Sequence, residues 1–150
     1  MLLASPNFND GTMIPRKFTA DGGGINPELH IQNVPVGAKS LALIVHDPDA
    51  PIEGGFTHWV VWNIDPMTML IKDESVPPGS VEGASGRGQP GWVPPSPPPG
   101  HGVHHYEFRL YALDLPSLNL AEGASMHELV EAMQGHIIEE AKLVGLYERA

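Results

Sequence analysis

The chain concentrates its potentially reactive carboxylates in one short segment. In VHDPDAP, residues 45–51, Asp47 and Asp49 are separated by a proline, and a second proline closes the turn. Because proline fixes φ and lacks a backbone N–H, both aspartates are held with little conformational freedom. The pattern suits a binding or acid–base site, and it equally fits an ordinary Asp-Pro surface turn.

Histidine and tyrosine supply the other reactive groups. His58 begins an apolar segment, where a lone histidine is more often a structural group than a functional one. His104 and Tyr106 are two residues apart and therefore share one face of a strand. They directly follow GWVPPSPPPGHGV, residues 91–103, which is too stiff for a helix and too rich in proline for a sheet.

Three segments carry strand patterns that end or begin at these polar residues. KSLALIVHD (39–47) is an almost unbroken apolar run, which predicts a strand covered on both faces. FTHWVVWNID (56–65) is rich in aromatic and β-branched residues, and HYEFRLYAL (105–113) alternates as a half-buried antiparallel strand does. If those strand ends meet, two imidazoles, a phenol and two carboxylates line one polar cavity.

One helix is predicted near the C-terminus, over about 126–144. Ser125 and Glu128 have the spacing of a capping box, and Gly145 is a plausible stop. Gly135 costs about 1 kcal/mol relative to alanine in a helix, which leaves a kink or two shorter helices open. The apolar residues that recur at helical period are Val130, Met133, Ile137, Ala141 and Val144. We therefore expect a mostly β domain with a C-terminal helix.

Length and composition narrow the class of protein. A chain of 150 residues is the size of one domain, so we expect residues 1–150 to form a single one. There is no cysteine, and no segment has the apolar length of a signal peptide or a membrane span, which favours a cytoplasmic protein. A formal net charge of -10 disfavours nucleic acid as a partner, because it repels phosphate backbones.

Three motifs in order carry a family resemblance. DPDAP at 47–51, THWVVWNI at 57–64 and PPPGHGVHHYEFRLYALD at 97–114 resemble the phosphatidylethanolamine-binding protein family, in its prokaryotic Raf kinase inhibitor-like branch. GHIIEEAKLVGLY at 135–147 resembles the closing helix of that branch. With the opening FNDGTMIPRKFTADGGGINPEL, the likeness covers most of the chain.

The resemblance implies a fold, a site and a partner. It implies an antiparallel β-sandwich whose pocket accepts phosphate, acetate-like ions or the headgroup of phosphoethanolamine. It also implies a homodimer and a partner protein such as a kinase or protease. The residues that match the family's pocket motifs, and that we expect to converge on one cavity, are Asp47, Asp49, His58, Pro97, Pro98, His104 and Tyr106.

The charges of such a pocket need compensation, because two carboxylates repel an anion. Protonated His58 or His104 would supply it, so affinity should rise as pH falls from about 8 toward 5.5. The sequence also departs from the family pattern: Pro94 stands at a glycine position, where it cannot donate a backbone hydrogen bond.

Four functions fit these residues. We favour a module that binds a small phosphorylated or carboxylated ligand, without catalytic turnover, metal or cofactor. The alternative is a hydrolase or phosphodiesterase that uses His58 or His104 as general base, although no nucleophile motif accompanies them. A zinc-like site built from Asp47, Asp49, His58 and His104 lacks a recognisable ligand spacing. Polar residues that merely close the end of a sandwich are the fourth.

The remaining histidines are given structural or surface roles. His105 should face away from His104 on its strand, and His127 lies within the helix cap, so both are expected at the surface. His136 is expected in the middle of the helix, packed or at an interface. Tyr147 is left outside the predicted site.

Overall fold

The computed structural model describes all residues from Met1 to Ala150, and most of its regular structure is β-strand. In chain order the elements are β1 (Leu2–Ala4), β2 (Thr12–Met13), a 3-10 turn (Arg16–Phe18), β3 (Leu29–Gln32), β4 (Ser40–Asp47), β5 (Phe56–Ile64), β6 (Leu70–Ile71), β7 (Val81–Glu82), β8 (His104–Leu113), α1 (Met126–Met133) and β9 (Ile137–Tyr147). The helix, at eight residues, falls far short of the apolar length that crosses a membrane.

The strands form two sheets that enclose the main core. The larger sheet has the order β2-β9-β8-β4-β5-β7, and the smaller has the order β1-β3-β6. Side chains of both sheets, among them Leu29, Ile31, Leu43 and Phe108, belong to one buried cluster of 19 residues. The predicted antiparallel β-sandwich with a C-terminal helix is confirmed, and β2 adds one parallel pair with β9 at the edge.

The unbroken apolar run of β4 is explained by two packed faces. Leu41, Leu43 and Val45 face the small sheet, because successive side chains of a strand point to opposite sides. Ala42 and Ile44 point the other way, into a second buried cluster that includes Leu129 and Met133 of α1. The large sheet is therefore the middle of three layers.

The helix is shorter than the sequence pattern predicts, and the segment after it is a strand. Ser125 and Glu128 form the predicted capping box, but the helix ends at Met133, and Gly135 turns the chain with a φ of 81°. The prediction of a helix to 144, like the resemblance of 135–147 to a closing helix, is wrong. This segment forms a strand because its backbone pairs antiparallel with β8 along the whole length of β8, from His104 to Leu113.

Gly145 lies inside β9 and is not a helix stop. It pairs with Tyr106 of β8 and with Thr12 of β2. A Cβ at this position would collide with the side chains of Ile14 and Phe8, which pack directly over the strand. The absence of a side chain at this position lets the segments on both sides of β2 cover the edge of the core.

We expect Gly145→Ala to destabilise the fold. Forcing a methyl group into this contact should lower the free energy of unfolding by about 1 to 3 kcal/mol, as overpacking does in other cores. Urea unfolding measures the change. The control is Lys142→Ala on the exposed side of the same strand, which should stay within about 0.5 kcal/mol of the parent. Equal stability of Gly145→Ala and the parent would contradict the tight packing.

Candidate functional site

The site forms where three neighbouring strands meet at one edge of the large sheet. β5 and β8 flank β4 and run antiparallel to it, so the first residues of both lie beside the last residue of β4. Asp47 pairs with Phe56 at the start of β5, and His46 pairs with Glu107 near the start of β8. The strand ends therefore meet as the sequence suggested.

Six of the seven predicted residues line one cavity at this edge, with a volume of about 310 Å³, which we call the Asp47 cavity. They are Asp47, His58, Pro97, Pro98, His104 and Tyr106. Asp49 is not among them. Its carboxylate accepts hydrogen bonds from the backbone N–H of His105 (2.8 Å) and lies 2.7 Å from Nδ1 of the same residue.

Asp49 is thus paired outside the cavity. Partial burial opposes its ionisation, but the hydrogen bonds from His105 outweigh this and hold its pKa below the ordinary value. The two aspartates face different neighbours because Asp47 is the last residue of β4, whereas Asp49 lies in the turn that follows. The four residues considered for a metal site therefore do not form a common ligand set.

Asp47 and His104 form a buried pair at the back of the cavity. Asp47 is 3% exposed and His104 is 1% exposed. Oδ2 of Asp47 lies 2.6 Å from Nδ1 of His104, and Oδ1 accepts the backbone N–H of Asp49 at 2.8 Å. Each oxygen of the Asp47 carboxylate therefore has a hydrogen-bond partner within the protein.

The second nitrogen of His104 faces another imidazole. Nε2 of His104 lies 2.7 Å from Nδ1 of His101, and the two ring centroids are 4.9 Å apart. An aspartate that orients a histidine is the usual support of a general base. Here the position of a serine or cysteine nucleophile is taken by His101, an exposed side chain that does not line the cavity.

His58 is a neutral wall of the cavity. Burial lowers its pKa to about 4, more than the Val93 carbonyl and Asp47 raise it. Its Nδ1 donates a hydrogen bond to the Val93 carbonyl at 2.6 Å, and this is the only hydrogen bond of the imidazole within the protein. Of the two histidines expected to supply positive charge, His58 does not, because desolvation keeps its imidazole neutral.

Tyr106 contributes an unpartnered hydroxyl. The side chain is 1% exposed, and its hydroxyl makes no hydrogen bond within the protein. Its ring contacts the imidazole of His58 edge to face, with 5.1 Å between centroids, and lies nearly parallel to that of His104. Burial raises the pKa of Tyr106, so the hydroxyl keeps its proton at any ordinary pH and is free to donate.

Arg87 brings a positive charge to the cavity that the sequence analysis did not predict. Its exposed side chain lines the cavity, and the ion-paired arginines of the chain are Arg109 and Arg149, not Arg87. Motif reasoning missed it because arginine in a turn, here SGRGQPGW, carries no periodic signal. One signal in the sequence could have identified Arg87. The chain has only eight lysines and arginines, and this one lies four residues before the proline loop.

The proline loop, residues 91–100, is anchored at both ends and in the middle. The backbone of Val93 exchanges hydrogen bonds with His58, and the Pro95 carbonyl accepts the N–H of Ala20 at 2.9 Å. The N–H of Gly100 donates to the carbonyl of Arg149 at 3.0 Å. Prolines serve here as acceptors only, so Pro94 lines the cavity without needing the backbone donor it lacks.

The C-terminal residues hold the far end of this loop. The guanidinium of Arg149 donates to both carboxylate oxygens of Asp21 at 3.0 Å, and the Tyr147 hydroxyl donates to the same carboxylate at 2.7 Å. The hydrogen bond from Arg149, followed by that from Tyr147, lowers the pKa of Asp21. Tyr147, left outside the predicted site, does not line the cavity.

The remaining histidines lie at the surface. The exposed positions predicted for His105 and His127 are confirmed, with 54% and 81% of their side chains accessible. His136 is not in a helix. It follows Gly135 in the turn before β9, and its Nδ1 lies 2.8 Å from the carboxylate of Asp114.

Comparison with known proteins places the fold in one family. Residues 4–148 match the family described as Phosphatidylethanolamine-binding protein, so the chain belongs to the phosphatidylethanolamine-binding protein family. It is 47% identical over 154 residues to a UPF0098 protein of Pyrococcus horikoshii, covering 99% of this chain and 77% of that one. It is also 47% identical over 154 residues to a UPF0098 protein of Methanothermobacter thermautotrophicus, covering 99% of both.

Two solved structures share nearly the whole architecture. A phosphatidylethanolamine-binding protein homologue from Chlamydia trachomatis superimposes with a TM-score of 0.93 at 40% identity, over 99% of this chain and 97% of that one. YbcL of Escherichia coli, described as a new member of the mammalian PEBP family, gives a TM-score of 0.93 at 27% identity, over 99% and 98%. The resemblance stated from the three motifs is confirmed.

We expect His58 to make stability fall in mild acid. Its pKa is about 4 in the folded chain and near 6.5 when unfolded, so the unfolded state binds one more proton between these values. The free energy of unfolding should therefore drop by about 1.4 kcal/mol per pH unit over this range, on the order of 3 kcal/mol in all.

The variant that isolates this contribution is His58→Asn. Its amide N–H replaces the donor to the Val93 carbonyl, but it does not titrate. Urea unfolding between pH 7 and 4 should show a shallower pH dependence for His58→Asn, by about one proton, whatever its absolute stability. His127→Asn at the surface serves as the control. Parallel curves for the parent and His58→Asn would contradict a neutral buried imidazole.

Proposed function

We propose that the chain is a binding protein whose Asp47 cavity takes a small phosphorylated ligand, such as inorganic phosphate or a phosphate monoester. The observation that carries the proposal is the Tyr106 hydroxyl, which is buried in the cavity wall without a partner. A buried polar group that lacks a hydrogen bond costs about 1 to 3 kcal/mol, and a ligand oxygen in the cavity would supply the bond.

The charges around the cavity support an anion. The carboxylate of Asp47 is occupied by hydrogen bonds from His104 and from the backbone of Asp49, and Asp49 itself is turned toward His105. Arg87 is then the unpaired charge nearest to a ligand. An arginine guanidinium offers several donors in a plane that matches phosphate oxygens.

The neutral state of His58 favours a phosphoryl group over a carboxylate. Its Nδ1 donates to Val93, so the free Nε2 is a lone pair that accepts a hydrogen bond. A phosphate monoanion carries both acceptor oxygens for Tyr106 and Arg87 and a P–OH group for His58. A carboxylate carries only acceptors. An increase in affinity at lower pH would then come from the ligand, whose second pKa is about 6.

The preformed walls support binding without a large ordering cost. The proline loop is fixed by the backbone hydrogen bonds of Val93, Pro95 and Gly100, so few residues must be ordered when a ligand arrives.

We further propose a cytoplasmic homodimer that influences a partner such as a kinase or protease, as the family resemblance implies. We regard binding as the activity, since no hydroxyl or thiol is hydrogen-bonded to the Asp47–His104 pair.

Tyr106→Phe tests the hydroxyl alone. We expect the affinity for inorganic phosphate and phosphoethanolamine, measured by titration calorimetry, to fall about 5- to 20-fold, which corresponds to one hydrogen bond. The thermal stability of the unliganded variant should not fall, because the hydroxyl has no partner in the protein. Tyr111→Phe, half-buried on the same strand and outside the cavity, is the control. Unchanged affinity in Tyr106→Phe would remove the main support for the proposal.

Arg87→Gln tests the cation. Phosphate affinity should fall about tenfold or more, and its dependence on salt should weaken, because a charge-assisted contact is lost. Lys142→Gln, an exposed and unpaired cation on β9 outside the cavity, should leave both unchanged. Equal losses in the two variants would mean that the overall charge of the chain, and not the cavity, governs binding.

A further inference from the structure

The buried Asp47–His104 pair continues to the protein surface through His101. Asp47 and His104 are excluded from water, whereas His101 is exposed on the loop that precedes β8. Along this series of side chains, Oδ2 of Asp47 lies 2.6 Å from Nδ1 of His104, and Nε2 of His104 lies 2.7 Å from Nδ1 of His101. Three side chains thus connect a buried carboxylate to an exposed imidazole.

The tautomers along this series of hydrogen bonds follow when an ionised Asp47 faces a neutral His104. An ionised carboxylate only accepts, so Nδ1 of His104 carries a proton and donates it to Asp47. In a neutral His104 the other nitrogen, Nε2, is then a lone pair. The hydrogen bond to His101 therefore requires a proton on Nδ1 of His101. The lone pair of His101 is left on Nε2.

We propose that His101 is a nucleophilic histidine that accepts a phosphoryl group on Nε2 from a small, high-energy phosphoryl donor. The arrangement places His104 as the base toward His101, as a histidine acts toward the nucleophile of an aspartate-supported triad. Asp47 stabilises the positive charge that His104 gains. The inference does not depend on a ligand in the Asp47 cavity, because His101 lies outside the cavity lining.

The transfer step balances with phosphoramidate as the donor. The lone pair on Nε2 of His101 attacks phosphorus, the bond between phosphorus and the protonated donor nitrogen (–NH3⁺) breaks, and ammonia leaves with that electron pair. The proton on Nδ1 of His101 moves to Nε2 of His104 as the ring becomes electron-poor. His104 then releases one proton, which ammonia or water takes up. The product is a neutral imidazole ring with phosphate on Nε2.

The loop around His101 is held in place and is open to a donor. The N–H of His101 donates to the carbonyl of Pro98 at 3.2 Å, and Gly100 is bound to the carbonyl of Arg149. Gly100 and Gly102 flank the histidine, and a side chain added at either would meet only open space. Neither neighbour carries a side chain, and His101 itself is exposed, so its imidazole is open to a reagent in solution.

Other exposed histidines in the chain provide internal comparators. His105 also has an aspartate partner at Nδ1, but that carboxylate is 39% exposed and therefore screened by water. His127 lies beside Glu131 on the open surface of α1. Only the partner of His101 is a buried imidazole supported by a buried carboxylate, where electrostatic stabilisation is stronger.

The experiment treats the full chain with phosphoramidate at neutral pH and maps acid-labile phosphohistidine by mass spectrometry over time. We expect His101 to be labelled on the order of tenfold or more faster than His105 and His127 in the same molecules. Phosphorus NMR should identify the Nε2 isomer at His101. Equal labelling of the exposed histidines, or phosphate on Nδ1 of His101, would overturn the proposal.

Variants separate activation from simple exposure. His101→Asn should abolish the fast label and leave that of His105 and His127 unchanged. Asp47→Asn and His104→Gln should slow labelling of His101 to the rate of His127, whereas Asp49→Asn should affect His105 alone. A fast label on His101 that persists in a folded Asp47→Asn would refute the relay. If Asp47→Asn and His104→Gln both unfold, the parent chain tests the proposal. The labelling rate of His101 relative to His105 and His127, and the phosphohistidine isomer formed at His101, are then the two readouts.

Discussion

The hydrogen bond between Asp47 and His104 is the interaction on which the site depends. It joins the last residue of β4 to the first residue of β8, two strands that are far apart in sequence. Removing both groups from water is costly, so a lone buried carboxylate here would destabilise the fold. The pair is tolerated because the backbone N–H of Asp49 satisfies the second oxygen, and that bond in turn fixes the turn after β4.

The stiffness of the proline loop follows from the same requirement to satisfy buried polar groups. A segment crossing the end of a sheet cannot join its ladder, and each buried N–H would need a partner. Prolines remove those donors, while the carbonyls of Val93 and Pro95 accept hydrogen bonds from His58 and Ala20. A rigid wall is thus built with little backbone left unpaired.

Local patterns predicted the residues whose environment is set by nearby sequence. The run in β4 and the alternation in β8 identify strands, and antiparallel neighbours bring their ends together, which predicts Asp47, His58, His104 and Tyr106. Pro97 and Pro98 follow only from the family resemblance. The identity of β9 could not be read in this way. Ile137 and Ala141 fit both the helical and the strand period, whereas Val144 fits only the helical one. The strand forms because the segment pairs with β8, more than twenty residues earlier in the chain. Asp49 and Arg87 escaped prediction because turn geometry decides where their side chains point.

Net charge is a poor guide to what such a cavity accepts. The chain carries -10 overall, yet the field at a site is set by the charges within a few ångströms that remain unpaired. Near the cavity the carboxylates of Asp47 and Asp49 are each bound to a histidine, and burial keeps His58 neutral. Arg87 is left as the free charge. An acidic protein can therefore present an arginine and a free hydroxyl donor at one cavity, because the aspartates near it already accept hydrogen bonds from its own imidazoles.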